Sequence, residues 1–232
     1  MTVLEAIDLS KTFVGGDGGL LTVLDGVSMR VDRGEMVAVV GSSGAGKSTL
    51  LHLLGALDKP TRGQVVIGGR AVDGLDEESL AALRNRSVGF VFQFHHLLRE
   101  FSALENVMIP LRIAGADAEP ARVRATALLE RVGLGSRMSH HPSALSGGEQ
   151  QRTAVARALA LDPAILLADE PSGNLDHANA ERLHALLTEL SRDLEISMVI
   201  VTHNQSLAER ADRVLRLEDG RLSGIGIGEA VS

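Results

Sequence analysis

The chain has 232 residues, 44% hydrophobic and 23% charged, with a formal net charge of −7 and no cysteine. That length buries one large core, or a core with a small attached unit, and the missing thiols exclude a disulfide framework and a thiolate metal centre. The acidic balance and the lack of any basic block argue against a nucleic-acid partner, and no apolar run reaches the roughly 18 to 20 residues that cross a bilayer.

In chain order, residues 3–9, 22–31 and Met36–Val40 read as strands. The turn signals Gly15-Gly16-Asp17-Gly18-Gly19 and Asp32-Arg33-Gly34 separate them. The first two mix polar and apolar positions, as a sheet with one wet face does; Met36–Val40 is apolar throughout, as a strand covered on both faces. Then comes Gly41-Ser42-Ser43-Gly44-Ala45-Gly46-Lys47-Ser48-Thr49, followed by a helical run to Leu54. Lys59-Pro60-Thr61-Arg62-Gly63 turns the chain into a strand over 64–67, with Gly68-Gly69 as a hairpin turn. Residues 76–85 look helical, and Val88–Phe92 is a short apolar run ending at Gln93.

From about 94 to 143 the pattern is helical. Ser102 and Glu105 make a capping box before a helix over 106–113. Ala125, Leu128, Leu129 and Val132 fall on one helical stripe, with Gly133 as its C-terminal cap. The spacing predicts a further helix over 149–161 stopped by Asp162-Pro163, then a buried strand over 165–168. A helix with Leu183, Leu186, Leu187, Leu190 and Leu194 on one stripe follows, then a strand over 198–201 and a hairpin at Asp219-Gly220. Four apolar runs thus stop at polar residues: Gly41 onward, Gln93, Asp169-Glu170 and Thr202-His203. In an open parallel sheet ligands bind outside the carboxyl ends of the strands, so these groups are expected to converge on one edge.

Residues 41–49 fit the phosphate-loop pattern G-x-x-x-x-G-K followed by Ser or Thr. Gly41, Gly44 and Gly46 let the backbone wrap a phosphate chain, Lys47 supplies a cation for it, and the Ser48 hydroxyl is a hard ligand suited to Mg²⁺. Asp169 suits the same ion, and Glu170 suits the orientation or deprotonation of an attacking water. Leu145-Ser146-Gly147-Gly148-Glu149-Gln150 reads locally as a capped helix. Two glycines in its first turn cost about 1 kcal/mol each relative to alanine, which makes sense where bare N–H groups approach an anion.

Together these stretches resemble the nucleotide-binding subunits of ATP-binding-cassette (ABC) transporters. Leu145 to Gln150 matches that family's signature motif, Gln93 its Q-loop, Ser172-Gly173-Asn174-Leu175-Asp176 its D-loop and His203 its switch histidine. The resemblance implies an α/β phosphate-loop (RecA-like) core with an antiparallel β subdomain and an inserted α-helical subdomain. The expected division is 1–93 and 153–232 for the core, and about 94–152 for the helical unit.

It implies ATP and Mg²⁺ as ligands, with Ser48, Gln93 and Asp169 toward the metal and Glu170, His203 and Gln93 in catalysis. A homodimer would enclose two nucleotides, each held by Gly41 to Thr49 of one copy and Ser146, Gly147, Gly148, Glu149 and Gln150 of the other. Asp176 would link the two sites, and Phe13 would stack on adenine where the family often has tyrosine. Asn204 stands where the family commonly has aspartate.

Phe92-Gln93-Phe94-His95-His96-Leu97-Leu98 and Phe101-Ser102-Ala103-Leu104-Glu105-Asn106-Val107 resemble the lipoprotein-releasing ATPases of Gram-negative bacteria. The wider group includes macrolide-exporter and cell-division ATPases, which stay open at this point, with a soluble ABC ATPase acting on nucleic acid or the ribosome as the more distant alternative. The implied setting is peripheral, on the cytoplasmic face of the inner membrane. There the dimer would pair with two integral membrane subunits that handle lipoprotein cargo.

Overall fold

The computed structural model describes residues 1–16 and 18–226. Asp17, in the expected turn at 15–19, lies outside the described residues. Strands β1 (Thr2–Val14), β2 (Leu20–Asp32), β4 (Arg62–Ile67) and β5 (Arg70–Ala71) form an antiparallel sheet in the order β2-β1-β4-β5. A six-stranded sheet runs in the order β10 (Arg221–Ile225), β9 (Arg213–Glu218), β3 (Met36–Val40), β8 (Ser197–Val201), β7 (Ile165–Asp169) and β6 (Val88–Phe92). All its neighbours pair parallel except β9 and β10, which form the Asp219-Gly220 hairpin.

The helices are α1 (Lys47–Leu54), α2 (Glu77–Ser87), α3 (Ala103–Ile113), α4 (Ala118–Arg131), α5 (Gly147–Ala158), α6 (His177–Leu194) and α7 (Gln205–Ala208). They cover both faces of the parallel strands, and strand periodicity sorts the core accordingly. Met36, Ala38 and Val40 of β3, with Met198 and Ile200 of β8, join the cluster that contains the buried faces of α3 to α6. Val37, Val39, Val199 and Val201 point the other way, into the cluster shared with α1 and the antiparallel sheet. This is the expected α/β core with its antiparallel layer.

Several details differ from the sequence reading, among them the start of α3 at Ala103 rather than 106 and the end of α2 at Ser87 rather than 85. β1 reaches Val14 and β2 starts at Leu20, because the two pair out to Val14 opposite Leu20. Their tips are solvated (Val14 is 73% exposed and Leu20 77%), so no burial pattern marks them. α5 begins at Gly147 and ends at Ala158, before the expected stop, and a turn leads on to Asp162 at φ 49°. It runs through residue 152 unbroken, packing on α3 and β6. Leu194, the last residue of α6, is 38% exposed; His184 and Ser191 are buried instead.

Candidate active site

The parallel strands pair in register. Val39 of β3 lies opposite Val201 of β8, Val201 opposite Asp169 of β7, and Asp169 opposite Phe92 of β6. Their carboxyl ends are therefore level, and the residues that follow meet at one edge. A cavity of about 530 Å³ there is walled by the loop 41–49, Gln93, Asp169, Glu170, His203 and Val23. Ser42 and Ala45 of the loop are not among its walls. A larger hollow of about 670 Å³ between α1, β4 and α2 contains none of these groups.

The glycines of the loop divide by cause. A Cβ at Gly41 would lie 2.3 Å from the Leu217 carbonyl oxygen, and one at Gly46 would lie 2.8 Å from Val23 Cγ1. Packing within the chain already demands both. At Gly44, with φ +82°, a Cβ would meet nothing within 4 Å, so this backbone is bare toward open space. α1 starts from Gly46 in the left-handed region, φ 95°, with no side-chain cap. Its first-turn N–H groups stay available to an anion at the positive end of the helix. Lys47 Nζ donates to the carbonyls of Gly41 and Ser42, each at 2.9 Å, and so bridges the mouth of the loop.

Glu170 sits one residue past β7 in the left-handed region, φ 45°. That turn directs its carboxylate toward β8, and the side chain is only 16% exposed. Oε1 lies 2.8 Å from His203 Nδ1, and Oε2 accepts from Thr202 Oγ1 at 3.2 Å and the His203 N–H at 3.3 Å. The carboxylate is thus clamped from one side by the end of β8. Gln93 is held by Asn174: its Nε2 donates to Asn174 Oδ1 at 3.0 Å, and Asn174 Nδ2 donates to the Gln93 carbonyl at 3.2 Å. The Gln93 amide oxygen takes part in neither bond. With the Ser48 hydroxyl and the Asp169 carboxylate on the same cavity, the donor set is hard oxygen with a single charge, which fits Mg²⁺ retaining several waters.

The signature residues stand apart from this cavity. Ser146 caps α5: its hydroxyl accepts from the Glu149 N–H at 3.3 Å, while the Glu149 carboxylate accepts from the Ser146 N–H at 2.8 Å. That N–H, the Ser146 hydroxyl and Arg137 hold the Glu149 carboxyl below its ordinary value despite partial desolvation. Gln150 donates to the Leu145 carbonyl at 2.9 Å. Gly147 and Ser146 are exposed, but Gly148 is buried, and a Cβ there would lie 2.8 Å from Asn179 Oδ1. Its lack of a side chain is explained within the chain. Asp176 caps α6, accepting from the Asn179 N–H at 2.9 Å and Nδ2 at 2.7 Å; these bonds lower its pKa.

Phe13 is 40% exposed beside Lys11, whose Nζ lies 5.0 Å from the ring centroid, so it is not a core residue. Asn204 caps α7 through its side-chain oxygen, accepting from the Leu207 N–H at 3.1 Å. That explains locally why an amide serves where aspartate was expected. No group of three or more His, Asp or Glu among the described residues could hold a metal, and His95-His96 belong to no such cluster. Instead Arg157 of α5 donates to the carbonyls of both histidines, each at 2.8 Å. Arg157→Ala should free the segment after Gln93, because hydrogen bonds from a charged donor contribute about 1.5–3 kcal/mol each. Proteolysis within 94–98 should quicken about tenfold or more; cleavage at the wild-type rate would show that the arginine does not restrain this segment.

Sequence reasoning passed over three contributors. Val23 gives no sequence signal, being one apolar residue of a strand. Asn174 and Thr202 lie inside motifs that were read, yet their bonds to Gln93 and Glu170 depend on tertiary contact.

Residues 24–173 match the family model described as ABC transporter. The chain is 55% identical over 221 residues to the lipoprotein-releasing system ATP-binding protein LolD of Xanthomonas campestris, covering 95% of this chain and 92% of that protein. It is 52% identical to the protein of the same name from Geobacter metallireducens, covering 95% and 98%. Among solved structures it resembles the dimeric bacterial ABC transporter cassette MJ0796, with a TM-score of 0.88 and 37% identity over 97% of this chain and 98% of that one. A post-hydrolysis dimer of the same cassette, bound to ADP and phosphate, matches with a TM-score of 0.87. On the matching model and these relatives, the chain belongs to the ABC transporter family.

Proposed function

We propose that the chain is the ATP-hydrolysing subunit of a lipoprotein-releasing ABC transporter, working as a pair on the cytoplasmic face of the inner membrane with two integral membrane subunits. The observation that carries the catalytic part is the shared cavity: the phosphate loop, Asp169, Glu170, Gln93 and His203 line one space at the level ends of four parallel strands. The cargo rests on the two lipoprotein-releasing relatives, each more than half identical to this chain.

In this reading the loop backbone and Lys47 hold the β- and γ-phosphates, while Phe13 meets the adenine. Ser48, Asp169 and Gln93 would hold Mg²⁺, which when bound would offset charge on the phosphate oxygens. Glu170 orients the attacking water and takes its proton, and His203, tied to that carboxylate at 2.8 Å, meets the γ-phosphate. Ser146 to Gln150 serve the nucleotide of the second copy, consistent with their position outside the cavity. Asp176 stands at the junction. The helical unit, about 94–152, faces the membrane subunits. An apolar groove of about 450 Å³ with Leu57, Phe92, Ile109 and Ile113 in its walls would receive them. No helix among the described residues is long and apolar enough to cross a membrane.

The test is reconstitution with the membrane subunits in liposomes carrying a lipidated protein. ATP should move that protein to a soluble acceptor, and Glu170→Gln should not. ATP consumption without transfer would remove the cargo assignment and favour the exporter alternative.

A further inference from the structure

His184 is fully buried in α6, on a stripe otherwise made of Ala180, Leu183, Leu187, Leu190 and Ser191. Its Nε2 lies 2.9 Å from Ser172 Oγ, in the turn 171–175 that follows Glu170. On the other side Nδ1 faces Glu181 Oε1 at 3.3 Å but off the hydrogen-bond line, which leaves that nitrogen without an aligned partner. Glu181 is itself engaged by α7 and the residues after it: Ser206 Oγ donates to it at 2.8 Å and Arg210 at 2.7 Å. A buried imidazole with only one aligned bond costs free energy compared with leucine on the same stripe. Stability alone gives no reason for it.

The turn it touches is the hub of the candidate site. Gly173 N–H donates to the Glu170 carbonyl at 2.9 Å, Asn174 holds Gln93, and Asp176 closes the turn as the cap of α6. Ser172 is the turn's inward anchor. Beyond Glu181, α7 is capped by Asn204, the residue after His203.

We propose that His184 is a positioning residue for ATP hydrolysis. Through Ser172 it pins the turn that presents Glu170 and Gln93, while its other ring nitrogen faces Glu181, which Ser206 and Arg210 hold in place. This rests on the reading of Glu170 as the catalytic carboxylate. Burial pushes His184 below its ordinary value of 6.5, with Arg210 and His177 acting the same way and Glu181 opposing. The neutral imidazole is therefore the folded form, and its contribution is complete above the unfolded value and lost as pH falls from there toward the folded one.

The test uses the full chain with Mg-ATP, measuring kcat, KM and nucleotide affinity for His184→Leu, Ser172→Ala, the double variant and His184→Gln. Leucine keeps the volume and removes the bond; glutamine restores a polar group toward Ser172. Misplacing a reacting group by a fraction of an ångström lowers kcat by about tenfold or more, while ATP affinity should stay within about twofold of wild type. The double variant should be no slower than either single one, and glutamine should recover most of the rate. Wild-type kcat in Ser172→Ala, or single effects that simply multiply, would overturn the proposal. The underlying reading fails separately: in that case Glu170→Gln hydrolyses ATP normally, whatever His184 does.

Discussion

Glu170→Gln is expected to bind ATP like the wild type and to hydrolyse it about a hundred- to ten-thousandfold more slowly, the range that general-base catalysis supplies. The replacement is nearly isosteric, so packing at a side chain 16% exposed is preserved. What changes is chemistry. The carboxylate can take a proton from water, whereas the amide cannot. His203 Nδ1 and Thr202 Oγ1, now bonded to the two carboxylate oxygens, would hold the amide in the same place, so the loss would not be one of geometry. With hydrolysis blocked and binding intact, an ATP-loaded dimer should accumulate and elute as such in size-exclusion chromatography. Turnover at the wild-type rate would remove Glu170 from the catalytic role.

Lys47→Ala is the second. ATP affinity should fall by at least about a hundredfold, since charge-assisted hydrogen bonds contribute about 1.5–3 kcal/mol each and the ammonium serves two phosphates. Lys47 Nζ donates to the carbonyls of Gly41 and Ser42. It therefore stands at the mouth of the loop. Loss of those two loop contacts should leave the fold in place, because α1 is anchored by Leu50, Leu51, Leu53 and Leu54, none more than 1% exposed. Titration with a fluorescent ATP analogue decides the matter: wild-type affinity in a folded variant would refute the phosphate-loop assignment.

Much of this was legible because the site is made of strand ends. Short apolar runs such as Met36–Val40 carry their own length, and each stops where a polar group begins, so the convergence of Gly41, Gln93, Glu170 and His203 follows from parallel topology alone. The capping box at Ser102 and Glu105 was equally plain, because its two bonds lie within four residues. What stayed hidden depends on distant partners. Nothing near Thr202 in sequence indicates a bond to Glu170, 32 positions away. The glycine at 148 looked like an opening for an anion and proves to be a seat for Asn179. Nor did the leucine stripe of α6 disclose that His184 lies among its buried members.

Asn179 also has a mechanical consequence. Its two bonds to Asp176 lie within the head of α6, and its amide sits where a side chain on Gly148 would be, so the heads of α5 and α6 meet at this one seat. A tilt of the first would press on the second at this contact. Because His184 of α6 also meets Ser172 in the turn after Glu170, such a displacement would reach the residues beside that carboxylate.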